Sequence, residues 1–144
     1  MIPELPSVNQ LSLVISQAAA PAFLLGAVVG LISVLISRLE RILDRSRMLS
    51  SLQGDGLVVH ELKADLPRLE RRARLINSAM RLAISSGVST ILLMILAFMF
   101  AFVGSAHERG VAVLFIVAVG LFGASLVQFL REINVALRRS DHIG

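Results

Sequence analysis

Cysteine, tryptophan and tyrosine are absent from this 144-residue chain, and lysine occurs once, as Lys63. Without cysteine there can be no disulfide, no thiolate zinc site and no cysteine nucleophile. Without Trp and Tyr the chain lacks the aromatic residues that usually mark the two surfaces of a membrane protein. Charged residues are scarce at 17%, against about 25% in soluble domains. This composition argues against a soluble enzyme.

Hydrophobic residues dominate what remains, at 56% of the chain with a mean hydropathy of +0.80. Three segments carry no charge, at residues 11–37, 82–106 and 111–130. As helices, all three are long enough to cross a hydrocarbon core of about 30 Å. Lipid leaves no alternative partner for backbone polar groups, so we expect all three to be helical. The sequence predicts an all-α fold in one membrane domain, residues 1–144.

Basic residues are distributed unevenly around these spans. Ten lie in residues 38–81, three in the tail 131–144, and one, Arg109, between the second and third spans. Positive charge favours the cytoplasmic side, so the hairpin and the tail are predicted to be cytoplasmic and the N-terminus outside. The net charge of +4 is explained by this placement beside membrane spans, and nucleic-acid binding is not expected.

The long segment between the first two spans is predicted to be a helical hairpin that extends both of them. Two apolar stripes at helical spacing support this, one on each arm: Leu35, Leu39, Ile42, Leu49 and Leu52; Leu69, Ala73, Ile76, Met80 and Ala83. Residues 53–56 (QGDG) form a turn signal between the arms. Asp65 and Pro67 suit the start of the returning helix, which leaves residues 58–64 as a separate turn or short helix.

Small residues recur along the spans and predict close helix packing. The candidate packing positions are Ala18, Ala22, Gly26 and Gly30 on the first span, Gly87 on the second and Gly120 on the third. Small residues let helix backbones approach each other where lipid supplies no hydrophobic drive. The sequence leaves open whether these faces pack within the chain or against a second copy or another membrane protein.

Charged residues at the hairpin end of the spans are predicted to form a network. Its candidate members are Arg38, Glu40, Arg41, Asp44, Arg45, Arg71, Arg74, Arg81, Arg131 and Glu132. Glu40, Asp44 and Glu132 are expected to oppose the arginines, so Asp44→Asn should lower thermal stability. A divalent cation held by Glu40 and Asp44 is an alternative, although two carboxylates are few ligands for calcium.

Catalytic motifs are not found. The three histidines at positions 60, 107 and 142 are scattered, and no metalloprotease, P-loop or nucleophile-elbow pattern occurs. The spans hold no Asp, Glu, Lys or His, which argues against a proton- or sodium-coupled transporter. We therefore assign no catalytic residue, no cofactor and no metal site from the sequence.

Five short segments together resemble a known family: residues 21–25 (PAFLL), 38–47 (RLERILDRSR), 61–62 (EL), 71–74 (RRAR) and 129–133 (FLREI). On these the chain is similar to the domain of unknown function 2721 family of small bacterial multi-pass membrane proteins. The resemblance covers nearly the whole chain, and the Arg-rich motif at 38–47 is its most specific part. It implies a three-pass protein of the bacterial inner membrane and brings no established activity.

The function expected from these features is that of a non-enzymatic structural or accessory membrane subunit. It would act through helix packing and the basic cytoplasmic hairpin, in contact with membrane lipids and their anionic headgroups. One alternative is a homo-oligomeric pore lined by Ser78, Arg81, Ser85 and Ser89, which share one helix face. A weaker alternative is a regulator that depends on a divalent cation.

Overall fold

A computed structural model describes residues 7–54, 56–103 and 108–138, which form four helices and, within these ranges, no strand. They are α1 (Val8–Ser50), α2 (Leu57–Lys63), α3 (Leu66–Val103) and α4 (Glu108–Leu137). Helices α1, α3 and α4 are long and apolar enough to cross a membrane, which confirms the predicted fold class. Residues 104–107, at the junction of the second and third predicted spans, and the tail after residue 138 lie outside the described residues.

The arms of the predicted hairpin are the second half of α1 and the first half of α3, and they pack on each other. Their two apolar stripes belong to one buried cluster, as expected. Four buried residues of α1 repeat every seven positions, as do three on α3: Val28, Leu35, Ile42 and Leu49; Leu69, Ile76 and Ala83. A seven-residue repeat of this kind is typical of two helices that pack side by side as in a coiled coil.

The connection between the arms is short and exposed. Gly54 has a φ of +141°, a region that residues with a side chain rarely adopt, so glycine suits this turn. Helix α2 follows and buries none of its side chains. Helix α3 then begins at Leu66 with Pro67 in its first turn, where proline's missing N–H has no helical partner to lose.

Helices α3 and α4 run antiparallel, and two hydroxyl groups bridge them. Ser86 Oγ donates to the backbone oxygen of Ala118 at 2.7 Å. Ser125 Oγ donates to the backbone oxygen of Ala79 at 2.6 Å. Seven residues separate the two contacts on each helix, in opposite directions along the chain. Both serines are fully buried, so these hydrogen bonds fix the register of α3 against α4.

The candidate small residues divide into two groups. Gly87 is buried where α3 meets α1, and a Cβ at this position would lie 3.4 Å from Val28 Cγ1. A Cβ at Gly26, Gly30 or Gly120 would meet nothing within 4 Å. Of the two alanines, Ala18 is half-buried and Ala22 is exposed. The packing within the chain therefore uses the glycine of α3, while most of the small-residue face of α1 points outward.

Neighbouring residues in the hairpin offer a test of its core. Ile42 is 4% exposed and Leu43 is 40% exposed. We expect Ile42→Ala to cost about 2–5 kcal/mol, because it removes buried methyl groups and leaves a cavity, and Leu43→Ala to cost much less. Thermal unfolding in mild detergent, followed by far-ultraviolet circular dichroism, measures both. Equal losses of Tm would contradict the assignment of the α1 face that packs on α3.

Candidate functional site

A buried carboxylate, that of Glu132 on α4, lies where the three long helices meet. Its side chain is completely inaccessible to solvent. Arg38 of α1 donates from Nη1 to Oε2 at 2.7 Å. Arg72 of α3 donates to Oε1 from both Nε, at 2.9 Å, and Nη2, at 2.7 Å. We call these three residues the Glu132 clasp.

The register of α3 against α4 places Arg72 next to Glu132. On α3, Arg72 lies seven residues before Ala79, which accepts the hydrogen bond from Ser125. On α4, Glu132 lies seven residues after Ser125. The clasp is thus the next step of the same seven-residue repeat. Arg38 follows directly on the first uncharged segment, so it reaches Glu132 from the boundary of that span.

The clasp compensates the cost of burying a charge. Removing a carboxylate from water costs several kcal/mol, and ion pairing recovers this only with good geometry and further hydrogen bonds. Three N–H donors and two positive charges surround Glu132. The arginine side chains remain 37% exposed at Arg38 and 24% at Arg72, so both stay partly accessible at the surface of the chain. The guanidinium of Arg38 also lies 5.1 Å from the centre of the Phe129 ring, a distance typical of cation–π contacts.

Arg68, one turn before Arg72 on α3, binds the end of α4. Its Nη2 donates to the backbone oxygen of Val135 at 2.6 Å and to that of Ala136 at 3.4 Å. The last carbonyl groups of a helix have no partner within the helix and carry partial negative charge. An arginine at this position therefore satisfies them, and it ties the C-terminal end of α4 to the start of α3.

The structure brings together only part of the predicted charge network. Arg38 and Glu132 meet, whereas Glu40 and Asp44 are exposed and have no ion-pair partner among the described residues. Arg45 is half-buried. The remaining predicted members are all exposed: Arg41, Arg71, Arg74, Arg81 and Arg131. Glu132 alone supplies the acidic centre.

Two arginines of this site, Arg68 and Arg72, are missing from the predicted network. Helical spacing predicts partners only within one helix. The partners of both arginines lie on α4, 60 residues away for Arg72 and 67 residues away for Arg68. The seven-residue spacing shared by Arg72, Ala79 and Ser86 was the available signal. It points to one face of α3, which the structure packs against α4.

A metal site at Glu40 and Asp44 receives no support from the geometry. Across residues 7–54, 56–103 and 108–138, no three His, Asp or Glu side chains are placed to hold a metal ion. His60 is exposed on α2, and the other two histidines lie outside these ranges.

A cavity of about 190 Å³ with four charged residues in its lining lies beside the clasp, between α1, the start of α3 and the end of α4. Its lining is Arg45, Asp65, Arg68, Leu69, Arg72 and Ala136. The Nε atom of Arg45 is buried and has no hydrogen-bond partner among the described residues. The cavity thus gathers three arginines, of which Arg68 and Arg72 already bind groups of α4.

Comparison with known proteins identifies the family. A family model described as "Protein of unknown function (DUF2721)" matches residues 18–142, so the chain belongs to this family. The match includes most of α1 and all of α2, α3 and α4, and it confirms the resemblance seen in the sequence. No curated protein and no solved structure gives a significant match.

The clasp predicts that Glu132 and Asp44 differ sharply in their effect on stability. In Glu132→Gln, a neutral amide faces two guanidinium groups, and its NH₂ group opposes one of their donors. We expect a loss of about 3–5 kcal/mol, the usual cost of breaking a buried ion pair. Asp44→Asn removes an exposed charge and should change stability by about 0.5 kcal/mol or less. Tm values in the same detergent compare the two, and an equal effect would contradict the structural role of Glu132.

Proposed function

We propose that this chain is a non-enzymatic structural or accessory subunit of the bacterial inner membrane, which docks against another membrane helix through α1. The observation that carries the proposal is the open face around Gly26 and Gly30. A GxxxG spacing lets two helix backbones approach closely in lipid. A Cβ added at either glycine would meet no other part of the described chain within 4 Å, so the face has room for a helix from outside the chain.

The same face of α1 continues smoothly toward the hairpin. Ser33 and Ser37 follow Gly30 at helical spacing, and their hydroxyl groups donate to backbone oxygens of α1 itself, at 3.1 Å each. A shallow groove of about 350 Å³ then runs over Ser33, Val34, Ser37, Arg38 and Arg41. Small side chains and a groove that ends in arginines suit a partner helix with an acidic or carbonyl-rich end at this depth.

The buried polar groups favour a structural role over a catalytic one. The carboxylate of Glu132 is fully buried and already receives three hydrogen bonds from two arginines, so neither of its oxygens is exposed to a substrate. The hydroxyl groups of Ser86 and Ser125 are buried and bound to backbone oxygens across the α3–α4 contact. These groups hold helices together.

The alternative function, a homo-oligomeric pore, would use a face of α3 other than the one that packs within the chain. Arg81 and Ser85 are exposed, so a ring of several copies could turn them toward a common axis. Ser89, one turn further, donates to the backbone oxygen of Ser85 at 2.9 Å. This face would need a closed oligomer to line a channel, and the size of the assembly therefore separates the two functions.

The proposed orientation places the hairpin in the cytoplasm and the turn near Arg109 outside. Because the natural chain has no cysteine, single cysteines can report this without background. We expect a membrane-impermeant maleimide to label Arg109→Cys but not Gln53→Cys in intact spheroplasts. Inverted membrane vesicles should give the opposite pattern. Labelling of Gln53→Cys in spheroplasts would reverse the proposed topology.

The docking proposal predicts that a bulky residue at Gly30 dissociates the assembly without unfolding the subunit. Gly30→Leu fills the open face, and Tm should not fall, because leucine favours a helix more than glycine does. Gly120→Leu, which enlarges an equally open glycine on α4, is the matched control. Native mass spectrometry from nanodiscs should show the wild type and Gly120→Leu with a partner helix in constant ratio, and Gly30→Leu as a monomer.

Two results would count against docking through α1. A partner that remains bound to Gly30→Leu as tightly as to the wild type would move the interface elsewhere. A closed ring of four or more copies that tolerates Gly30→Leu would favour the pore, and ion flux abolished by Ser85→Leu would then support it.

A further inference from the structure

We propose that the cavity beside the Glu132 clasp binds a single phosphate group, held by Arg45, Arg68 and Arg72. These side chains come from two helices, α1 and α3, and the cavity is closed on its third side by the end of α4. The proposal does not rest on docking through α1, because it concerns the interior face of the three helices and a different ligand.

The unpaired donor of Arg45 is the first argument. Its Nε is buried without a partner among the described residues. A buried donor left unpaired costs about 1–3 kcal/mol, and more when the group is charged. The two other arginines of the cavity donate from Nη2 or Nε to groups of α4, whereas Nε of Arg45 has no partner among the described residues. Arg45 lines the cavity, so an acceptor there that its Nε turns to meet would remove this cost.

The charge balance is the second argument. Around the cavity and the clasp stand four arginines, at positions 38, 45, 68 and 72, and two carboxylates, at 65 and 132. Four positive and two negative charges leave a surplus of two. A phosphate monoester carries about −1.5 to −2 near neutral pH. Arginine presents a planar fork of donors that fits phosphate oxygens, so both charge and donor geometry suit this ligand.

The size of the cavity limits the ligand to a small group. At about 190 Å³ it is smaller than the pockets that bind drug-sized ligands, which measure about 300–1,000 Å³. A phosphate and the first atoms attached to it would fit, but a nucleotide would not. Asp65 and the partial negative charge at the end of α4 line one side, and Arg68 offsets the latter through its bonds to Val135 and Ala136.

The depth of the cavity leaves two sources for the phosphate. Arg45 lies seven residues beyond Arg38 on α1, or about 10 Å further along the helix at 1.5 Å per residue. Headgroups extend the bilayer by roughly 5–8 Å beyond each side of the hydrocarbon core. The cavity therefore lies at headgroup level or just beyond it, within reach of an anionic lipid headgroup and of a soluble phosphate compound.

The experiment uses the full chain in phosphatidylcholine nanodiscs and has two arms. In the soluble arm, inorganic phosphate is titrated at constant ionic strength and binding is measured by calorimetry. In the lipid arm, a small fraction of phosphatidic acid is added and its retention is counted by native mass spectrometry. Binding of free phosphate indicates a soluble ligand. Retention of phosphatidic acid without binding of free phosphate indicates a headgroup.

Three variants connect binding to the cavity. Arg45→Gln should weaken binding about tenfold to a hundredfold, which is the value of a hydrogen bond to a charged group. Arg45→Lys keeps the positive charge but lacks Nε, so it should also bind more weakly than the wild type. This second variant shows whether the loss in Arg45→Gln comes only from a folding defect of that variant. Arg47→Gln, an exposed arginine of α1 outside the cavity, has the same net charge as Arg45→Gln and should bind like the wild type.

Two results would overturn the proposal. The first is no binding by the wild type in either arm. The second is an equal loss in Arg45→Gln and Arg47→Gln, which would show general attraction to positive charge. Tm without phosphate, measured for each variant, confirms that the compared proteins are folded.

Discussion

The ion pairs of Glu132 are the interaction on which the arrangement of the helices depends. One carboxylate receives hydrogen bonds from α1 and α3 while it belongs to α4, so all three long helices meet at a single residue. A shift of any helix by one turn, about 5.4 Å, would separate the partners and leave a charge buried alone. That penalty is several kcal/mol, and it sets the relative depth of the three helices.

On either side of the clasp, different forces hold the helices. Toward the hairpin, α1 and α3 bury leucine and isoleucine against each other, which is favourable where water is the alternative. Toward the membrane, lipid tails are as apolar as leucine, and this drive disappears. There the contacts between helices include a glycine of α3 against Val28 of α1 and two serine hydroxyl groups between α3 and α4. The clasp lies at the boundary between the two regimes.

The sequence predicts the elements well and the site only in part. Uncharged segments and apolar stripes are local patterns, so the three long helices and the hairpin can be found from them. Arg38 and Glu132 were expected in one charge network because both lie at the hairpin end of a span. The pairing of Arg72 with Glu132 depends on the offset of α3 against α4, which no local pattern contains. Likewise Gly26 and Gly30 resemble Gly87 in the sequence, and only packing shows that Gly87 is the enclosed one.

The clasp also links the two surfaces proposed to bind something. Arg38 lines the groove below the open face of α1, and Arg72 lines the cavity, and both hold the same carboxylate. A partner that pulls Arg38 away from Glu132 would remove one of the two positive charges that balance this carboxylate, and Arg72 would then be held more tightly to Glu132. An anion that attracts Arg72 would likewise leave Arg38 held more tightly to Glu132. By linkage, a partner at one surface and a phosphate at the other would change each other's affinity by the same factor.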